Sequence, residues 1–570
     1  MMNAARRGLW YRAGIAVRAL CGTAGAYGVA ALAAMVLARG LPVPRAEAVL
    51  VATMLAFIIG PAVTIGAFLV AGASHAPAGT GLVAGAGGGV RRSMAWLHGW
   101  AGLLLGHILF LMCLTGTLSM FRPEISRWMR PEVSATADPD HATAAAVAWL
   151  AANSRNSTGW YLTVPDGRSN VVEANYDSDG AFVRRVLDPV SGAPVARDTL
   201  GGDFFYRLHF DLHLPYPWGE LLASLAAMLM LVAIISGIIA HKRFFRDMFT
   251  FRPGRGQRSW LDGHNALGVL SLPFHIMITF TGLVTLASLT MPWPMTAVYG
   301  KNAMAFYSEV TPGAVVRPAS GRAAPLAPIL PMMAQARRHF GAPVSRIYIF
   351  NPGDAAAVVT MYPVEEKAIG YMPGEISFDG ASGRILKAWT ETRPAVRAYQ
   401  TVYGLHMAHF APMLTRWLYF LGGAMLTLAI ASGMMLWIVK RRERAPLSIG
   451  NRLLERLNVG GLAGVPIGLV AYLIANRLLP LGLAGRAEME VSVALWAAGT
   501  GLALGLLLPP SRSWPLLLGL LAAGCGAAAL TGPRWSADPA IPAINLLLLV
   551  SAAATGALAW RRARRGAEPA

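Results

Sequence analysis

Cysteine and charge are both scarce in this chain. Its 570 residues include three cysteines, Cys21, Cys113 and Cys525, all far apart and inside apolar stretches. With no CxxC, CxxCH or cysteine-based zinc spacing, a dithiol redox pair, covalent attachment of a cofactor through CxxCH and a zinc ribbon are all excluded. The three thiols read as small core residues. Charged residues make up 14% of the chain, well below the roughly 25% of soluble domains. Hydrophobic residues reach 55% and the mean hydropathy is +0.48, so the composition is that of a membrane protein. A nucleotide fingerprint is also missing. The glycine-rich GAGGGV at 85–90 follows no strand and lacks the required spacing, so it reads as a flexible linker.

The net charge of +20 would suit a nucleic-acid partner. However, the basic residues cluster at the ends of apolar runs: Arg6-Arg7, Arg91-Arg92, Lys242 to Arg258, Lys440 to Arg456 and Arg561 to Arg565. That is the positive-inside pattern of a multi-pass protein, and no nucleic-acid partner is expected. Apolar runs long enough to span a bilayer fall at 13–38, 48–73, 95–121, 217–241, 262–290, 414–439, 458–478, 489–508, 514–532 and 541–560, ten in all. The first run is long and a second follows at once, so it reads as a retained helix and not as a cleaved leader. With the N-terminus inside, every strongly basic loop and the basic C-terminus fall on the cytoplasmic side.

Two segments, 123–215 and 291–412, are too long and polar to be simple loops, and both fall outside. Each opens with a helical stretch, HATAAAVAWLAANS or LAPILPMMAQARRHFG. Short alternating runs follow, WYLTV, NVVEANY and AFVRRVLD in one, SRIYIF, AAVVTMY and GEISFD in the other. Tight turns come next, Asp188-Pro189-Val190-Ser191-Gly192 and Asp379-Gly380-Ala381-Ser382-Gly383, where Asp and Gly supply the local hydrogen bond and positive φ. A helix and a three-stranded antiparallel sheet are expected in each.

The same unit therefore occurs twice, and histidines recur at matching places in both copies. WLHGWAGLLLGHILFLMCLTGTL carries His98 and then Thr115-Gly116. WLDGHNALGVLSLPFHIMITFTGL carries His264 and then Thr281-Gly282 at the same spacing. The returns are announced by YRLHFDLH (His209, His213) and YGLHMAH (His406, His409), and the return helices carry Ser236-Gly237 and Ser432-Gly433. Imidazoles are costly at the edge of an apolar span unless partnered. Pairs of them on neighbouring helices are how a bundle holds a haem iron from both sides.

The chain resembles the PepSY-associated transmembrane family, in its iron-regulated, ferrisiderophore-reductase-like branch. The carriers are LHGWAGLLLGHILFLMCLTGTLSMFRPEISRWMRPE, GGDFFYRLHFDLHLPYPWGE, ISGIIAHKRFFRDMFTFRPGRGQRSWLDGHN, LPFHIMITFTGLVTL and YGLHMAHFA, with the return helix ending in KRR. The resemblance covers roughly 90–445. Residues 1–75 and 457–570 lie outside that core. It implies a bacterial inner-membrane protein with both PepSY-like modules periplasmic, carrying haem b and passing electrons outward to ferric siderophores. Seven histidines match the family pattern, His98, His209, His213, His241, His264, His275 and His406. His107 and His409 do not.

The expected fold is thus a mainly α membrane protein of about ten transmembrane helices around a duplicated helix, outer α+β module, helix core. The organisation is two N-terminal helices and a linker (1–90), a first repeat (91–260), a second repeat (261–445) and a C-terminal four-helix extension (446–570). Pseudo-two-fold symmetry pairs His98 with His264 near the cytoplasmic ends, and His209 with His406 near the outer ends, giving two stacked haems. His241 is an alternative inner ligand, and His213 or His275 an alternative outer one. At a rise of about 1.5 Å per residue, His107 lies about 13 Å beyond His98 and His275 about 16 Å beyond His264. Gly102, Gly106, Gly268 and Gly282 are candidates for close approach of a flat porphyrin, with ordinary helix packing as the alternative. Trp96, Trp100 and Trp260 read as interfacial belt residues. His75, His141 and His339 read as solvated.

No flavin or nicotinamide domain is expected, so the donor is external, a quinol or a cytoplasmic reductase. HKRFFRDMFTFRPGRGQR is a candidate landing patch for it. Tyr206, Arg207, Arg397, Tyr399 and Tyr403 flank the outer histidines, where they would meet an anionic chelate. Two other readings remain, a membrane sensor or anchor binding peptides or a protease, and a siderophore or iron transporter. Transporters characteristically show broken helices.

Overall fold

The computed structural model describes residues 21–73, 86–133, 137–154, 156–178, 180–241, 252, 254, 256–365, 369–442, 448–533 and 538–567. Arg6-Arg7, His75 and most of the candidate landing patch lie outside the described residues. A short π-helix (Cys21–Gly25) enters α1 (Ala26–Gly40), and α2 (Arg45–Ala73) returns beside it. The first repeat runs α3 (Ala86–Leu104), α4 (Gly106–Ser119), α5 (Arg122–Met129), α6 (Pro139–Asn153), β1 (Gly159–Thr163), β2 (Val172–Ser178), β3 (Ala181–Leu187), α7 (Asp203–Phe210) and α8 (Trp218–Ala240). The second runs α9 (Gln257–Leu270), α10 (Leu272–Thr285), α11 (Trp293–Tyr299), α12 (Ala303–Val310), α13 (Ile329–Phe340), β4 (Val344–Phe350), β5 (Val358–Pro363), β6 (Gly374–Asp379), β7 (Ile385–Thr390), α14 (Pro394–Met407) and α15 (Met413–Arg442). Four helices close the chain, α16 (Ile449–Leu478), α17 (Arg486–Leu507), α18 (Pro510–Thr531) and α19 (Ala540–Ala567).

Among the described residues eight helices are long and apolar enough to cross a membrane, or up to ten when each of two bent pairs counts as one span. The bent pairs correct the sequence reading of 95–121 and 262–290 as uninterrupted helices. Both spans break by the same 68°, between α3 and α4 and between α9 and α10. Pro273, the second residue of α10, has no N–H to give and crowds the preceding turn. In the first repeat Leu105 falls between Gly102 and Gly106, residues that hold a helix weakly. The rise-based depths of His107 and His275 therefore fail beyond each break. The linker reading of 85–90 is also corrected, because α3 begins at Ala86 and takes the glycines into its first turns. Cys113 and Cys525 are buried core thiols.

The chain forms two compact units. The first comprises Met1–Thr117, Leu208–Val310 and Arg393–Pro446, and the second Leu118–Arg207, Thr311–Thr392 and Leu447–Ala570. The first is the helical core of both repeats with the N-terminal hairpin. Leu109, Met112, Ala226, Met230 and Leu426 belong to one of its buried apolar clusters. The hairpin is tied to the second repeat by polar groups: Tyr27 Oη donates to the Thr290 carbonyl at 3.0 Å and accepts from Trp293 Nε1 at 2.7 Å.

The second unit merges what the sequence presents as two sheets. The seven strands among the described residues form one antiparallel sheet in the order β3-β2-β1-β4-β5-β6-β7. The seam is β1 against β4, with Gly159 opposite Phe350, Tyr161 opposite Tyr348 and Thr163 opposite Arg346. Pairing the first strand of each module removes two open edges. α6 and α13 cover one face, over a core that includes Leu150, Trp160, Met333, Ile347, Ile349 and Phe378. The second module has a fourth strand, β7, after its Asp-Gly-Ala-Ser-Gly turn. The first module keeps only a single bridge, Leu187 to Pro194, because proline cannot donate to a ladder. Both turns have the expected chemistry: Asp188 accepts from Ser191 N–H at 2.8 Å and Asp379 from Ser382 N–H at 3.0 Å.

One loop beside the sheet is held by a carboxylate. Asp354 accepts from the N–H groups of Ala356 (2.7 Å), Gly321 (2.8 Å) and Ser320 (3.0 Å) and from the Ser320 hydroxyl (2.7 Å). The hydrogen bonds from Ala356 and Ser320 hold its pKa down at about 2. A depressed carboxylate stabilises the fold above its unfolded value, and that contribution is lost as pH falls through the folded value. Acid titration should therefore loosen this loop as pH falls from about 4 toward 2. Asp354→Asn should remove that part of the pH dependence, read as exchange at the Ser320 and Gly321 amides.

A candidate pair of bis-histidine sites

Four histidines of the first unit share one construction. His98 places Nδ1 2.8 Å from the Ala233 carbonyl oxygen, and His264 Nδ1 is 2.8 Å from that of Ala429. His209 Nδ1 is 2.7 Å from the Met112 carbonyl oxygen, and His406 Nδ1 is 3.1 Å from that of Ile278. A carbonyl oxygen only accepts, so each Nδ1 donates and each Nε2 is left with its lone pair. This is the tautomer a metal-ligating histidine needs, with the outer hydrogen bond fixing ring orientation.

Four residues after each accepting carbonyl stands a glycine: Gly237, Gly433, Gly116 and Gly282. A Cβ on Gly116 would lie 2.6 Å from His209 Nδ1, and one on Gly282 would lie 2.8 Å from His406 Cε1. One on Gly237 would lie 2.9 Å from His98 Nδ1, and one on Gly433 3.0 Å from His264 Cε1. The hydroxyl just before each glycine turns back onto the helix. Ser236, Ser432 and Thr115 donate to the same carbonyls at 3.1, 2.9 and 3.2 Å, and Thr281 lies 3.2 Å from His406 Nδ1. The Thr-Gly and Ser-Gly pairs are thus the seats of the imidazoles. The sequence offered those pairs, whereas the accepting carbonyls have no side-chain signature.

The rings come together in twos. His98 and His264 have ring centres 5.9 Å apart with planes at 62°, and His209 and His406 have centres 5.9 Å apart with planes at 20°. Two imidazoles bound to one metal ion from opposite sides, each at about 2 Å, put their ring centres about 6 Å apart. All four rings are half-buried. Gly102 and Gly268 lie four residues beyond His98 and His264, and a Cβ at either meets no protein atom within 4 Å. There is thus open space along both helices. Gly106 differs, since a Cβ there would sit 3.0 Å from Met434 Sδ, so it serves packing. Among the described residues no group of three or more His, Cys, Asp or Glu has metal-site geometry.

The remaining histidines stand apart from this scheme. His275, buried just past the break, meets Ser271 Oγ with Nε2 at 2.7 Å and bonds the backbone of Gly422. The same Ser271 hydroxyl donates to the Leu267 carbonyl at the bend, at 2.9 Å. His241 Nε2 lies 3.0 Å from Asn265 Nδ2. His213 has φ +52 and its N–H donates to Asp211 at 2.7 Å. His107 follows the break in the first repeat and is half-buried, and His409, His141 and His339 are exposed. The Arg122 guanidinium lies over the Tyr206 ring, 4.8 Å from its centre, and Tyr399 and Tyr403 are neighbours at 6.4 Å.

Fold and site together define a multi-pass membrane protein with a duplicated core that brings four histidines together in two pairs. Residues 95–440 match the model of the PepSY-associated TM region, and the chain belongs to that family. It is also similar to an uncharacterized protein of Pseudomonas aeruginosa, PA4219, with 30% identity over 394 residues covering 65% of this chain and 96% of that protein.

Proposed function

We propose that this protein is a haem-b electron-transfer protein of the bacterial inner membrane that reduces ferric siderophores on the periplasmic side. The observation that carries this is the fourfold repetition of one seat: Nδ1 on a helix carbonyl, a glycine beneath the ring, a hydroxyl beside it, and two rings facing at 5.9 Å. His98 with His264, and His209 with His406, are the ligands this reading assigns. Haem, when bound, supplies one-electron redox chemistry. The protein's part is to hold each imidazole in one tautomer and one orientation and to line the approach with glycine. Hard oxygen ligands hold Fe(II) far less well than Fe(III), so transfer of one electron to a ferric chelate releases the iron. The donor is a quinol or a cytoplasmic reductase. The positive-inside charge pattern supports periplasmic placement of the two modules.

The two 68° breaks favour a second reading, a siderophore or iron transporter. Reduced-minus-oxidised spectra and haem-to-protein stoichiometry on purified protein separate the two. Low-spin b-type α-bands at two haems per chain support electron transfer. Colourless protein from haem-replete cells would sink it and leave the transporter and sensor readings.

A further inference from the structure

The C-terminal helices lie outside the family match at 95–440, and the paired histidines make no use of them. In the second unit they grip one turn of chain, the residues leading into α7. Tyr472 of α16, fully buried, stacks on Phe204 with ring centres 4.0 Å apart and meets Phe205 edge-on at 5.9 Å. Its hydroxyl donates to the Gly201 carbonyl oxygen at 3.1 Å. Thr199 donates to the Glu490 carboxylate and accepts the Gly201 N–H at 3.1 Å. Glu490 of α17 is also held by Arg486, and by Asn476 Nδ2 at 2.8 Å. Arg486 donates further to the carbonyl oxygens of Asp198 (2.9 Å) and Asn476 (2.6 Å). The Asn476 carbonyl belongs to the last turn of α16, where unpaired carbonyls and the helix dipole favour a guanidinium.

The module holds the same turn from its own side. Arg130 donates to the Thr199 carbonyl oxygen at 2.6 Å, and the Gly202 N–H donates to Ser126 Oγ at 2.9 Å. Gly201 has φ +59, and a Cβ there would strike Ser126 Oγ at 2.7 Å. Asp203 begins α7 and is ion-paired with Arg122 and, at 2.9 Å, with Arg184. Burial alone would raise its pKa, but the charges of Arg122 and Arg184 outweigh burial and hold it below the usual carboxylate range. A buried charged network adds little stability over apolar packing of the same volume, whereas it can select one geometry. α7 is a single helix from Asp203 to Phe210, and His209 follows Phe204 by about 8 Å of helical rise.

We infer that Tyr472 and Glu490 are positioning residues for His209: the C-terminal extension fixes where α7 starts, and so where the His209 ring is presented. This rests on the proposed haem ligation. The test uses the full chain with haem bound, and the signal of the His209 haem is identified by its loss in His209→Ala. Tyr472→Leu should speed hydrogen exchange at the amides of 204–210 by about tenfold or more. It should shift the potential and EPR signal of the His209 haem and leave the other haem unchanged. Tyr472→Phe, which keeps the stack, should shift the same signal less. Glu490→Gln, nearly isosteric, should shift it too, and decides the matter if Tyr472→Leu does not fold. Unchanged exchange and unchanged signals would overturn the inference. So would equal disturbance of both haems with protection lost throughout. Unsubstituted protein lacking haem would sink the electron-transfer reading instead, and the exchange measurement would still report whether Tyr472 holds α7.

Discussion

On the two-haem reading proposed above, replacing His98 or His264 by alanine is expected to halve the haem content, from two per chain to one, and His209→Ala or His406→Ala should remove the other haem. The argument is geometric. Each pair has ring centres 5.9 Å apart, so removing either member leaves one ligand facing a gap. The double change His98→Ala with His264→Ala should therefore cost no more haem than either single change. Combining His98→Ala with His209→Ala should leave the protein without haem. Non-additivity within a pair and additivity between pairs is the behaviour of two independent sites. His275→Ala and His241→Ala should leave the stoichiometry at two, since His275 Nε2 is engaged by the Ser271 hydroxyl and His241 Nε2 by Asn265. Pyridine haemochrome assay per mole of protein is the measurement. Loss of haem in His275→Ala with retention in His98→Ala would overturn the assignment.

The second large effect belongs to glycine. Gly116→Ala should empty the His209–His406 site, with affinity for haem falling by about 10–100-fold, the range for disturbing a ligand's outer hydrogen bond. The added methyl would lie 2.6 Å from His209 Nδ1. A ring tied at Nδ1 to the Met112 carbonyl, and that would be tied at Nε2 to the proposed haem iron, would have no direction in which to yield. The four seats are graded by the clearance a Cβ would find, from 2.6 Å at Gly116 through 2.8 Å at Gly282 and 2.9 Å at Gly237 to 3.0 Å at Gly433. Haem loss should follow that order. Gly28→Ala, where a Cβ meets nothing within 4 Å, should bind two haems as before. An effect at Gly28 equal to that at Gly116 would mean general destabilisation and not a blocked seat.

Much of this arrangement can be seen in the sequence because duplication repeats it. One copy of His, sixteen residues and then Thr-Gly is a weak pattern, but two aligned copies with matching returns say that the positions are equivalent. Hydropathy and charge likewise carried the spans, since a bilayer requires long apolar helices and places arginine at their ends. The turns of both modules were legible for a local reason: Asp and Gly act within five residues.

Other features depend on partners distant in the chain. Pro273 and Gly106 mark weak points, but nothing in LLLGH or LSLPF states that both spans bend by the same 68°, because a helix break in an apolar span is tolerated only where packing re-satisfies the freed groups, as the Ser271 hydroxyl does for the Leu267 carbonyl. The fusion of the two modules through β1 and β4 is a choice of strand partner, and identical alternation serves one sheet or two. Composition and periodicity by themselves determined a duplicated multi-pass protein with histidines at equivalent positions. Only the tertiary structure decided which backbone carbonyls orient those histidines and why a glycine lies beneath each ring. It also decided that a C-terminal tyrosine seats the His209 helix. The physical reason is the same throughout: a main-chain oxygen, a missing Cβ and a long-range stack leave no periodic trace in the sequence.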